Sequence, residues 1–489
     1  MKINLERWVY RVLGLAFVVY LILRAKLIPM TVDEVSTCLN HVPRSLLDIV
    51  FYQNDPVPNN HVLNTLGIKI LSWFFGMYHV TARIPALVGG VLFLTATWAF
   101  TRWSTLWWMR AFTFVILLCN PFVVEFFALA RGYGLAVGIM LLAVWQSVAY
   151  LKAPKPQTII NAALLAFLAV EANFTLLNWF VPFVFFLLIL VYQQAKTAFL
   201  RSAWPIFGAI LLTGGFAYWP ITRMRATDQF QFWGSSSFFK DTMVPLLKSS
   251  THRHPYLGAD TVEIFAWMII AFSLVIWALA VLRWVKNKGQ LDAIVLLSGI
   301  YAGTIVFNFA QGILFKTPFL DARTSIFLYP LLALQLIATA NWLQSKWNYW
   351  ALCLVIPIGL FGIANFNNNR NLNSTTEWWF DKGTFAVLEY MKETYEAEGK
   401  HIPYSIDSYW VNYNSLDFHT KHSTPHYDKY ALLPDWHPRR TFPEDTEFYY
   451  TEERAEIDAI ITRYDIVLRV PESGLVLLRK KRDAVPPNQ

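Results

Sequence analysis

The sequence predicts a polytopic α-helical membrane protein of about eleven spans with a small α/β domain at its C-terminal end, and three observations carry that reading. The chain of 489 residues is 55% hydrophobic and only 15% charged, with a mean hydropathy of +0.37, whereas soluble domains carry about 25% charge. Its apolar residues fall in separated runs of about 17–22, the length that crosses a hydrocarbon layer about 30 Å thick. From about Asn367 those runs stop and charge rises. The expected division is a membrane part over 1–366, with a first outer loop at 27–81, and an extracytoplasmic part over 367–489.

The first span is Trp8–Leu23. A basic start, Met1-Lys2-Ile3-Asn4-Leu5-Glu6-Arg7, precedes it and no small-residue cleavage site follows, so it is read as a retained span and not a removed signal. In the loop that follows, Leu63, Leu66, Ile70 and Phe74 recur at helical spacing. They predict a helix over His61–Gly76 that suits the headgroup plane. Further spans are expected at Arg83–Phe100, Ala111–Phe127, Tyr133–Tyr150, Thr158–Val170, Leu176–Tyr192, Ala203–Pro220, Ile264–Leu282, Leu291–Phe309, Ser325–Ala340 and Tyr349–Ala364. Beyond them Phe385–Glu398 predicts a soluble amphipathic helix. Tyr464–Arg469 and Gly474–Arg479 predict the strands of a hairpin joined through Pro471-Glu472-Ser473, and Asp483–Gln489 a loose tail. No internal repeat is evident, which counts against an inverted-repeat transporter.

Loop charges alternate along this scheme. Lys2, Arg7, Arg11, Arg102, Arg110, Lys152, Lys155, Lys196, Arg201, Arg283, Lys286, Lys288 and Lys346 mark one side, which the positive-inside rule makes cytoplasmic. The Asp33 loop, Glu125–Arg131, Glu171–Asn173, Ile221–Val262 and Gln311–Arg323 then face outward, and an odd span number puts the C-terminal part there too. This bias accounts for the net charge of +8 without a nucleic-acid partner. Cys38, Cys119 and Cys353 are far apart and suggest neither a disulfide framework nor a zinc site.

Thr31-Val32-Asp33-Glu34-Val35 puts adjacent carboxylates at a membrane edge, where ionisable groups are costly and usually functional. One reading is a solvated helix cap. Another is a base that takes a proton from an acceptor hydroxyl, and a third is a ligand pair for a divalent cation. Downstream, Asp55-Pro56-Val57-Pro58-Asn59-Asn60-His61 is stiffened by its prolines. Asn59 or Asn60 suits a helix cap, and His61 is either structural or a hydrogen-bonding group for substrate or metal. Glu125 and Arg131 can pair with each other, or Arg131 can hold a phosphate. Lys316 and Arg323 either snorkel or stabilise a departing lipid phosphate. Thr251-His252-Arg253-His254 is read as a solvated basic loop.

In this arrangement the chain resembles the GT-C membrane glycosyltransferases, in particular bacterial relatives of the protein O-mannosyltransferases and of the lipid A aminoarabinose transferases. The acidic pair Asp33-Glu34 after the first span carries the resemblance. So do Asn60-His61-Val62-Leu63-Asn64-Thr65-Leu66, Phe74-Phe75-Gly76 and Ala82-Arg83-Ile84-Pro85-Ala86. Ala130-Arg131-Gly132-Tyr133 is similar to an Ala-Arg-x-Tyr motif, and Ala322-Arg323 to the Arg-Tyr ahead of span ten. The resemblance covers roughly Trp8–Ala340. It implies a GT-C-like fold and inverting transfer of a sugar from a polyprenyl-phosphate donor to a glycan, lipid or protein acceptor hydroxyl. The place would be the outer face of a bacterial inner membrane. It makes Asp33 the general base with Glu34 beside it. Asn60, His61, Glu125, Arg131, Tyr133, Lys316 and Arg323 are the candidate substrate-binding residues. The chain departs from the pattern at Val62, where many members have Pro, and at Thr324, where they have Tyr. The second Asp that some relatives carry near Arg131 is absent, with Glu125 nearby, so a divalent cation is left open. The contrasting class is a transporter or flippase for a lipid-linked or small polar substrate. It would line a path with mid-span polar residues, of which the sequence has few.

Overall fold

The computed structural model describes residues 2–229, 237–252, 258–346, 348–423, 426–434, 446–452, 461–471 and 474–481. In chain order the helices are α1 (Lys2–Leu27), α2 (Val32–Ser36), α3 (Leu46–Phe51), α4 (Val62–Phe75), α5 (His79–Thr101), α6 (Trp107–Leu118), α7 (Pro121–Glu125), α8 (Gly132–Lys152), α9 (Pro156–Ala172), α10 (Leu177–Gln194) and α11 (Phe199–Ala226). They continue with α12 (Val244–Ser250), α13 (Ala259–Lys286), α14 (Ala293–Phe315), α15 (Leu328–Lys346), α16 (Asn348–Asn369), α17 (Thr384–Ala397) and α18 (Trp410–His422). Strands β1 (Tyr404–Ser408), β2 (Ala431–Leu432), β3 (Phe448–Glu452), β4 (Tyr464–Val470) and β5 (Leu475–Lys480) lie in the C-terminal part.

Among the described residues nine helices are long and apolar enough to cross a membrane, ten if one bent pair counts as a span. Ile264, Trp267, Leu274, Val281 and Val285 of α13 are each more than half exposed. A water-facing surface does not sustain so large an apolar face. The chain is a multi-pass membrane protein.

Two of the expected spans take another form. The run at 111–127 divides into α6 and the segment from Pro121, bent by 61°. Asn120 accepts the Val123 N–H at 3.0 Å and Pro121 opens the new helix, a start that proline tolerates because its missing N–H has no partner there anyway. The run at 158–170 forms α9, which is apolar but only 17 residues long. It ends at Asn173, whose extended backbone and side chain cap the next turn. The helix expected over 61–76 is present as α4.

The described residues divide into two compact units. The first comprises Met1–Ile22, Arg44–Gly67 and Ile84–Arg370, the second Leu23–Pro43, Ile68–Arg83 and Asn371–Gln489. Within the first, α8 packs on α9, α9 on α11, and α10, α14, α15 and α16 pack in succession.

The second unit holds one sheet in the order β2-β1-β3-β5-β4. β1 is parallel to β2 and β3, while β5 runs antiparallel to β3 and β4. Alternation along β5 gives the sheet two covered faces: Leu475 and Leu477 join the core under α17, and Val476 and Leu478 pack with Tyr449 and Tyr464, as a period of two requires. The helix expected at 385–398 is α17 and the expected hairpin is β4–β5. Glu472, Ser473 and the 483–489 tail lie outside the described residues. α18, β1, β2 and β3 have no counterpart in the sequence reading.

Candidate functional site

The acidic pair sits in the second unit on a turn fixed from several sides. Thr31 Oγ1 accepts the Glu34 N–H at 3.4 Å, and Glu34 Oε2 accepts the Thr31 N–H at 2.8 Å. This is the reciprocal cap that a Thr-x-x-Glu spacing encodes. Arg83 then closes the turn. Its Nε donates to Glu34 Oε1 at 2.8 Å and its Nη2 to Oε2 at 2.7 Å. The remaining guanidinium protons go to the carbonyls of Ala25, Ile28 and Pro29 at 3.0, 2.6 and 2.8 Å. Every donor of the side chain is used, and both partners are fully buried. Removing one member of such a pair costs about 3–5 kcal/mol, because the other charge stays buried without compensation. Glu34 therefore holds the turn. Asp33, one residue earlier, is half-buried on it.

Residues from beyond 371 hold the same turn. Asp381 Oδ2 accepts the Val32 N–H at 3.1 Å, while its Oδ1 is buried without a hydrogen-bond partner. His419 Nε2 accepts the Met30 N–H at 2.8 Å, and Ser415 Oγ donates to the Met30 carbonyl at 2.7 Å. Gly383 is required here, since a Cβ would come within 2.1 Å of the Tyr450 hydroxyl. Burial, more than the nearby charges of Glu34 and Asp33, pushes the Asp381 carboxyl well above the usual range, against the opposing pull of the Val32 N–H. Burial likewise holds His419 well below its usual range and neutral, and the charges of His79, Arg83 and His422 add to that.

The other sequence candidates lie in the first unit. Asn60 is buried, donates Nδ2 to the Ile49 carbonyl at 2.8 Å, and accepts the Tyr52 hydroxyl on its own carbonyl. His61 meets the Tyr133 ring edge-on at 5.0 Å. Arg131 donates Nη1 to Asn59 and lies over the Tyr133 ring at 5.8 Å. Asn64 Nδ2 donates to the Ala130 carbonyl at 3.3 Å. The structure thus brings Asn60, His61, Arg131 and Tyr133 together. Glu125 is buried at the end of α7. Lys316 ends α14 in the left-handed conformation and is exposed, and Arg323 is half-buried in the turn after it. The remaining departures from the family pattern have local causes. Val62 begins α4 and packs with Tyr52 and Met224. Thr324 makes a capping box with Asp321.

A cavity of about 460 Å³ opens in the first unit between α13 and α14, walled by Phe238, Phe239, Trp267, Trp277, Phe309 and Phe319. Among the described residues no group of His, Cys, Asp and Glu side chains is arranged to hold a metal ion. Sequence reasoning missed Arg83, Asp381 and His419 as parts of the Asp33 turn. For Arg83 there was a signal: a cation opening an apolar span just downstream of paired carboxylates.

No protein-family profile matches the chain. No curated protein matches it by sequence. Among solved structures, ArnT from Cupriavidus metallidurans in the apo state is similar at 11% identity and a TM-score of 0.49, with 97% of this chain and 98% of that chain covered. ArnT bound to undecaprenyl phosphate is similar at 12% identity and a TM-score of 0.41, covering 98% and 99%. The Archaeoglobus fulgidus oligosaccharyltransferase tethered to an acceptor peptide containing the NVT sequon is similar at 10% identity and a TM-score of 0.39, with 83% of this chain and 62% of that one covered. ArnT, a lipid A aminoarabinose transferase, and the oligosaccharyltransferase are both members of the GT-C superfamily.

Proposed function

We propose that the chain is an inverting glycosyltransferase that moves a sugar from a polyprenyl-phosphate donor to an acceptor hydroxyl, with Asp33 as general base. The observation that carries this is the turn itself. Glu34, Arg83 and Asp381 are committed to holding the backbone on either side of Asp33, and Asp33 is the half-buried carboxylate they present. Catalysis by a positioned base needs such a rigid mount. In the step, the acceptor oxygen bonds to the anomeric carbon as its proton passes to Asp33. The bond from that carbon to the phosphate oxygen breaks, and polyprenyl phosphate leaves.

The leaving phosphate calls for a cation, and Arg131, Lys316 and Arg323 remain the candidates, each worth about 3–4 kcal/mol where well placed. The aromatic cavity at α13 and α14 suits a stretch of isoprenoid chain. The alternation of loop charge supports a reaction at the outer face of the membrane, which we read as a bacterial inner membrane, with the part over 367–489 extracytoplasmic and the membrane part over 1–366.

Mass spectrometry of surface glycans and glycolipids, with and without the protein, tests the activity. Membrane-inserted Asp33→Asn is expected to lose transfer by about 10²–10⁴-fold. Full transfer by that variant would overturn the proposal.

A further inference from the structure

We infer that Glu171, Asn173 and Asn60 form the hydroxyl-binding wall of a glycosyl subsite in the first unit, beside Arg131 and His61. The inference rests on the glycosyl-transfer reading and names residues for it. Glu171 is 6% exposed, and its Oε1 is buried with no hydrogen-bond partner. Asn173 is 2% exposed. Its Oδ1 is spent on the Thr175 N–H at 2.9 Å, which leaves Nδ2 buried and unpartnered. Asn60 is the mirror case: Nδ2 is spent on Ile49 and Oδ1 is buried without a partner.

These groups are neighbours. Tyr52 joins them, since its hydroxyl donates to the Asn60 carbonyl, its ring meets Phe174 at 6.0 Å, and it lies within electrostatic reach of Glu171 and Arg131. Gly132 completes the wall. A Cβ there would fall 2.0 Å from the Ala172 carbonyl oxygen and 2.6 Å from His61 Cβ, so the turn carrying Glu171 lies directly against Arg131-Gly132 and His61.

Buried polar groups in native proteins are nearly always partnered, and each exception calls for an explanation. An acceptor, a donor and a second acceptor in one neighbourhood match vicinal hydroxyls, each of which both donates and accepts. An isoprenoid chain offers them nothing, and a phosphate diester, which only accepts hydrogen bonds, leaves Asn60 Oδ1 unpartnered. The chemistry that fits is a polyhydroxylated glycosyl group, either the donor's sugar or a sugar acceptor.

The test uses the full chain in detergent, with Glu171→Gln and Asn173→Ala beside wild type. The probes are undecaprenyl phosphate, its mannosyl, glucosyl and arabinosyl phosphodiesters, and the matching methyl glycosides, read by binding titration and by unliganded melting. Both variants are expected to bind at least one glycosylated probe about tenfold more weakly and bare undecaprenyl phosphate unchanged. Weakening confined to the lipid-linked sugars puts the donor's sugar in the subsite, and weakening confined to the methyl glycosides puts a sugar acceptor there. Unchanged affinity for every sugar probe overturns the subsite and leaves the transfer reading standing. So does equal weakening of all probes with a lowered melting temperature, which is the mark of a purely structural role. Wild type that binds none of the polyprenyl phosphates overturns the transfer reading and the subsite with it.

Discussion

The Asp33 turn and the Asn60–Glu171 region solve opposite problems with the same kinds of side chain. In the turn, the polar groups are saturated apart from Asp381 Oδ1: Arg83 spends every proton, Glu34 both oxygens, and His419 accepts a backbone N–H. In the other region, polar groups are equally buried but keep atoms in reserve, on Glu171, Asn173, Asn60 and Asn64. A saturated network is rigid and costly to break, because every deletion strands a partner. A network with reserve atoms carries a desolvation cost in the empty protein that a ligand can offset. The turn has the properties of a mount, and the Asn60–Glu171 region those of a receptor.

Arg83 is where that contrast is most easily broken. Arg83→Met leaves the buried Glu34 carboxyl without its partner and orphans the carbonyls of Ala25, Ile28 and Pro29. Stability should fall by about 3–5 kcal/mol, measured by unfolding in detergent. Glu171→Gln strands no partner and should leave stability unchanged or raise it. If the two variants shifted stability equally, the distinction between mount and receptor would collapse.

Asp381 sharpens the contrast through pH. Its carboxyl is raised in the fold by burial first and by Glu34 and Asp33 next, so the folded state binds its proton more tightly than the unfolded chain does. The resulting stabilisation is complete below the unfolded pKa of about 3.9. It declines as pH rises from there and is gone once pH passes the folded value. The decline is at most about 1.4 kcal/mol per pH unit. Asp381→Asn keeps an oxygen for the Val32 N–H but has no proton to lose. Its melting temperature should therefore hold where that of wild type falls on going alkaline, whereas Asp381→Ala should be weakened throughout. Parallel melting curves against pH for wild type and Asp381→Asn would remove Asp381 as an ionisable part of the mount.

What was legible in the sequence was what is local. Hydrophobic run length marked the spans, period two marked β4 and β5, and Thr31-Val32-Asp33-Glu34 already spelled a cap. Asp381 and His419 were not legible, because their roles depend on chain segments roughly 350–390 residues apart meeting, and no periodicity encodes that. The strands β1 and β3 were missed for a related reason. They are five residues each and mix Ser, Asp, Thr and Tyr, and their strand character comes from pairing with their neighbours in the sheet. Glu171 was seen only as a loop charge, since exposure, not residue type, separates a solvated acid from a buried one.

The smallest expected effects decide between mount and receptor most cleanly, because two helix caps can be compared directly. Thr31 Oγ1 caps the Glu34 N–H, and Asn173 Oδ1 caps the Thr175 N–H. Either change to Ala removes one cap and should cost about 1 kcal/mol, so melting alone would not tell them apart. Binding should. Thr31→Ala discards no spare polar atom, since Glu34 still takes the Thr31 N–H and Arg83 still holds Glu34. Its affinity for undecaprenyl-phosphate sugars should match wild type. Asn173→Ala discards the unpartnered Nδ2 together with the cap and should lose affinity at the same stability. Equal affinities in the two variants would reduce Asn173 to a cap and leave Glu171 without its donor neighbour.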